Sequence, residues 1–202
     1  MSSRDFILDR VRRNQPAPLP LPEIPRFEHP QSSLWEAFAA ALARMGGAVS
    51  EAPAPGQLDR LISERFPSAK VICSATPEWR GTRELSSLRG PAELEDVDLG
   101  VVRGAFGIAE TGSVYLSDTE LGVNALGFLP QHLLVLLDPA AIVPDLHHAY
   151  RQRGFFEARY AVLMTGPSAT ADIEGVLIRG AQGIRSFTVV PLAAPAGPQT
   201  PT

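Results

Sequence analysis

Short, continuously apolar runs, separated by polar stretches rich in glycine and proline, constrain this chain most. Residues 70–74, 99–102, 132–137, 160–164 and 186–190 each hold only a few apolar positions in a row. None approaches the roughly 20 that a bilayer-crossing helix requires. A run such as Val71-Ile72-Cys73, without polar alternation, suits a strand covered on both faces. Helical spacing lies between the runs. Ser33-Leu34-Trp35-Glu36 has the form of a capping box, with Leu34, Phe38, Leu42 and Met45 as the buried stripe and Gly46-Gly47 as the stop. Further helices are expected at about 56–65, 144–153 and 170–179. Glu110-Thr111-Gly112 reads as a tight turn between strands at 106–109 and 113–116. The alternation predicts an α/β fold: an open, mostly parallel sheet flanked by helices, joined by right-handed strand–helix–strand units, with one antiparallel hairpin inserted.

Domain limits follow from proline. Pro16, Pro18, Pro20, Pro22, Pro25 and Pro30 deny a helix its donors, so residues 1–31 read as a short helix bearing Phe6, Ile7, Leu8 and Val11, followed by an extended arm. The folded unit is expected at 32–191 and a mobile tail at 192–202. Apolar residues at 45% against 20% charged supply a real core. The net charge of −4, with no dense basic cluster, argues against nucleic acid. Met1-Ser2-Ser3-Arg4-Asp5 opens on charge rather than an apolar signal core, so a cytoplasmic location is expected. Cys73 is the only cysteine, too few for an iron–sulfur cluster, and His29, His132, His147 and His148 show no metal-ligand spacing. No cofactor or metal is expected on this chain.

The stretch 165–174 is the best candidate for chemistry, since it joins a buried strand to an expected helix, where open α/β sheets gather ligands. Gly166 permits close backbone approach, Ser168 and Thr170 offer hydroxyls, and Asp172 and Glu174 suit the first helical turn. A small carboxylate or phosphate is the expected ligand. The stretch has neither a Walker lysine nor Gly-x-Gly-x-x-Gly. His132 opens an apolar strand, and Arg179 and Arg185 flank the turn 180–183, where a guanidinium fork suits a carboxylate.

Three ordered motifs in these regions resemble the lactate utilisation protein C family, the small single-domain members of the LUD group. They are Ala109-Glu110-Thr111-Gly112-Ser113-Val114, then Leu129-Pro130-Gln131-His132, then Gly166-Pro167-Ser168-Ala169-Thr170-Ala171-Asp172-Ile173-Glu174 continuing through Ile178-Arg179-Gly180-Ala181-Gln182-Gly183-Ile184-Arg185. The likeness covers about 99–190. Gln182-Gly183-Ile184 stands where the family usually has His-Gly-Pro. The resemblance implies a fold like the sugar-phosphate isomerase and CoA-transferase group (NagB/RpiA/CoA transferase-like). It also implies membership of a system oxidising L-lactate to pyruvate, whose cysteine-rich iron–sulfur partners carry the clusters. By analogy with CoA transferases, Glu110 is the candidate catalytic carboxylate, with Thr111, Gly112 and Ser113 beside it. A stand-alone isomerase or CoA-transferase-like enzyme, and a non-catalytic ligand-sensing or scaffolding protein, are the alternatives.

Overall fold

The computed structural model describes residues 2–20, 22, 33–152 and 154–195. The elements in chain order are α1 (Ser3–Arg13), α2 (Leu34–Arg44), β1 (Ala48–Val49), α3 (Leu58–Arg65), β2 (Ile72–Ser74), β3 (Leu99–Arg103), β4 (Phe106–Ile108), β5 (Ser113–Ser117) and α4 (Asp118–Leu121). They continue with β6 (His132–Leu137), β7 (Ile142–Val143), α5 (Leu146–Ala149), α6 (Gly154–Glu157), β8 (Ala161–Met164), β9 (Ala169–Thr170), β10 (Ile178–Arg179) and β11 (Ser186–Pro191). Five strands form an all-parallel sheet in the order β1-β11-β6-β3-β2.

Side chains alternate across a strand, and here both faces are buried. Leu133, Val135 and Leu137 of β6 pack with Phe38 and Leu42 of α2, whereas Leu134 and Leu136 pack with Leu58 and Ile62 of α3. A helix on each face explains why β6 lacks polar alternation. Ser33 Oγ caps α2 by accepting from Glu36 N at 3.2 Å.

Asp98 ties the sheet at its amino-terminal edge. Its Oδ2 accepts from Lys70 N (2.7 Å) and Val71 N (2.9 Å), and these amides hold its pKa below the ordinary carboxylate value. Asp138, at the carboxyl edge, is lowered in the same way by Ala194 N and Ala140 N. A carboxylate with a lowered folded pKa stabilises above its unfolded pKa of about 4, and the contribution disappears as pH falls through the folded value. Acid unfolding of Asp98→Asn should therefore show a shallower loss of stability below about pH 4 than the native chain, at a cost of about 1–2 kcal/mol at pH 7. Parallel stability–pH curves from urea melts would disprove it.

Several local expectations change. Residues 161–164 leave the parallel sheet: β8 pairs antiparallel with β5 in a second sheet ordered β7-β4-β5-β8, and its outer positions stay partly exposed as an edge strand. The helix expected at 170–179 does not form. Ile173, Val176 and Leu177 have helical spacing, but no core lies opposite them and all three are exposed. Glu174 (φ 53°) and Gly175 (φ 71°) enter the left-handed region, and β9 and β10 pair as a small antiparallel hairpin. The helix expected at 144–153 contracts to the single turn α5, capped by Asp145, with His147 and His148 half-buried; position 153 lies outside the described residues. The start of the expected tail is held down, since Leu192 N donates to Leu137 O and Ala194 N to Asp138 Oδ2, both at 2.9 Å. His29, Pro25, Pro30 and residues 196–202 also lie outside the described residues.

Candidate functional site

The predicted segments meet at the amino-terminal rim of the parallel sheet, around the end of α2. Gly112 (φ 71°) abuts the α2 backbone so closely that a Cβ there would lie 2.2 Å from Leu42 N. Gly166 (φ 74°) presses on the same helix end, where its Cβ would lie 2.7 Å from Met45 O. Both bends need glycine because the chain adopts positive φ and approaches another backbone.

Hydroxyls join the two bends. Thr111 Oγ1 donates to Ser113 Oγ at 2.8 Å, and Ser113 Oγ shares a short hydrogen bond with Thr165 Oγ1, just before Gly166. The third bend docks on the second: Ser168 N donates to Ile184 O (3.0 Å) and Gly180 N to Ser168 O (2.6 Å). Arg185 N donates to Gln131 O at 2.7 Å, drawing in the segment that ends at His132. Arg179 Nη2 donates to Arg44 O at 3.2 Å, at the negative end of α2.

Which groups face outward decides the chemistry. The Ser168 amide is taken, and Thr170 Oγ1 accepts from Asp172 N, so the expected row of helix-end amides does not exist. Asp172 and Glu174 sit at the exposed hairpin tip instead of a first helical turn. Glu110 is exposed, and its Oε2 accepts from Leu146 N at 3.1 Å, so this carboxylate caps α5. His132 Nδ1 shares a 2.7 Å hydrogen bond with Ser186 Oγ, and its ring lies against Phe66. Burial holds the imidazole below the ordinary histidine range; nearby Arg185 acts in the same direction and Asp98 opposes them. His132 is thus a neutral donor–acceptor at pH 7. Arg185 is exposed beside it. A cationic fork, a neutral imidazole and two serine hydroxyls can receive a small carboxylate and pass a proton.

A model of the LUD domain matches residues 91–191, half of the chain. The chain belongs to the LUD domain family. Every segment of the rim cluster except the end of α2 falls inside the matched part of this LUD domain. Its curated relatives include the uncharacterized protein YkgG of Escherichia coli, 30% identical over 98 residues, 46% of this chain and 42% of that protein. Two are called lactate utilization protein C: one from Geobacillus sp. is 24% identical over 139 residues, covering 66% of this chain and 55% of the relative. The other, from Oceanobacillus iheyensis, is 26% identical over 102 residues, with 48% and 44% covered. The chain spans about half the length of these relatives. A DUF162 family protein from Deinococcus radiodurans shares the fold of this LUD domain, with a TM-score of 0.60 over 78% of this chain and 94% of that one at 18% identity.

The opposite, carboxyl-terminal rim holds polar residues that the sequence did not single out. Arg103, the last residue of β3, pairs through Nε with Glu78 Oε1 at 2.5 Å and through Nη1 with Leu192 O at 3.1 Å. Thr76 Oγ1 makes a short hydrogen bond to the other Glu78 oxygen. The available signal was a charged residue closing an otherwise apolar strand.

Proposed function

We propose that this chain serves lactate utilisation as a cluster-free, cytoplasmic component of an L-lactate-oxidising system. In this reading its cysteine-rich partners hold the iron–sulfur clusters, and the amino-terminal rim receives a small carboxylate. One observation carries the carboxylate site: segments ending in Thr111–Ser113, His132, Thr165–Ser168 and Arg185, far apart in the chain, are hydrogen-bonded into one cluster. The names of the two lactate utilization protein C relatives support the pathway. The lone, buried Cys73 fits a division of labour in which clusters reside elsewhere.

Arg185 supplies the charge that orients the carboxylate, and the His132–Ser186 pair supplies a neutral proton donor and acceptor at its side. Glu110 acts by holding α5 in place. In cells deleted for this chain, growth on L-lactate as sole carbon source should fail and return with the native gene. Arg185→Ala should lower lactate-dependent oxygen uptake about tenfold, with an unchanged thermal midpoint. Full uptake by Arg185→Ala overturns the carboxylate site, and full uptake with the whole chain deleted overturns the lactate role. Glu110→Gln retains an acceptor for Leu146 N and should preserve growth; loss of growth would make Glu110 the reacting carboxylate.

A further inference from the structure

We propose that a hollow of about 380 Å³ at the carboxyl-terminal rim binds a small, largely apolar molecule through a neutral carbonyl, as in an amide or a thioester. Four parallel strands deliver its walls: β2 leads into Thr76 and Glu78, β3 into Arg103 and Ala105, β6 into Asp138, and β11 into Ala194. Ligands of open α/β sheets collect at this edge, and a pocket of this size with apolar walls and few polar groups is the usual form of a small-molecule site. The inference is independent of the carboxylate reading at the opposite rim.

Arg103 identifies the group that would be bound. Glu78 occupies its Nε and Leu192 O its Nη1, but its Nη2 is buried without an acceptor. Among the described residues it is the one buried side-chain nitrogen or oxygen in that condition, so the site asks for an acceptor atom.

Charge then selects the acceptor. The hollow sets Glu78, Glu120 and Asp138 against Arg103, so an anionic ligand would meet net repulsion. A cation finds no free carboxylate oxygen on Asp138, since Oδ1 accepts from Ala140 N and Oδ2 from Ala194 N. Glu120 Oε2 likewise accepts from Ser117 N and Oγ. A neutral carbonyl can accept from Nη2 while its hydrocarbon part lies against Ala75, Pro77 and Ala141.

Three probes of one shape separate these cases: benzamide, benzoate and benzylamine, titrated into the 15N-labelled full chain. Benzamide should give saturable shifts at the Ala105 and Ala194 amides, with benzoate and benzylamine at least about tenfold weaker. Ala105→Phe fills the exposed mouth without touching the Arg103–Glu78 pair and should abolish the shifts. Arg103→Lys keeps the charge but removes the Nη2 donor, and should weaken benzamide about tenfold. The proposal is overturned if benzamide gives no saturable shift, as for a hollow that holds only water. It is also overturned if benzoate or benzylamine binds as tightly, or if the benzamide shifts survive in a folded Ala105→Phe.

Discussion

Gly112→Ala should lower stability by about 4 kcal/mol and the thermal midpoint by about 10 °C. The added methyl has no room. It would lie 2.2 Å from Leu42 N and 2.7 Å from Ala41 C, both backbone atoms of α2, so relief requires the helix to move rather than a side chain to rotate. The positive φ of 71° adds about 1 kcal/mol for any residue with a Cβ. Gly56→Ala isolates that second contribution, because Gly56 has φ 74° and nothing within 4 Å of its ideal Cβ. It should cost only about 1 kcal/mol. Equal losses in the two variants, measured by urea melts, would show that the hairpin does not press on α2, and the bends would lose their common support.

Glu78→Ala should destabilise by about 3 kcal/mol through a different mechanism. The Glu78 and Arg103 side chains are 15% and 19% exposed, so removal of the acid leaves a mostly buried guanidinium without its counter-charge. The loss should exceed that from surface pairs such as Arg60–Glu64, where both side chains are well exposed and Glu64→Ala should change stability by no more than about 0.5 kcal/mol. Removing both charges in Glu78→Leu/Arg103→Met should recover most of the stability, since no uncompensated charge then remains. A double variant as unstable as Glu78→Ala would assign the loss to packing instead of charge.

Periodicity had different power in different parts of the chain. Where apolar residues face a partner on each side, as in Leu133–Leu137, burial dominates local preference and the strand is legible from the residues alone. At 170–179 the spacing of Ile173, Val176 and Leu177 is helical, yet those side chains reach solvent and Glu174 and Gly175 turn the backbone the other way. Helical spacing without an opposing apolar face does not stabilise a helix. Glu110 illustrates the same limit at the site: Glu-Thr-Gly is visible as a turn, but the carboxylate's bond to Leu146 N depends on α5, some 36 positions further on.

Composition and pattern alone determined that the chain folds as an α/β domain with a sheet buried on both faces, because hydrophobic burial is written locally in the order of apolar residues. They also marked the glycine bends at 112, 166 and 180–183, because a reversal that needs positive φ is a property of a few adjacent residues. Only the tertiary structure decided that those bends share the amino-terminal rim and that Arg103, Glu78 and Asp138 share the opposite one. Parallel strands end together in space while their ends lie tens of residues apart in the chain, so the make-up of each rim is a consequence of strand order and register.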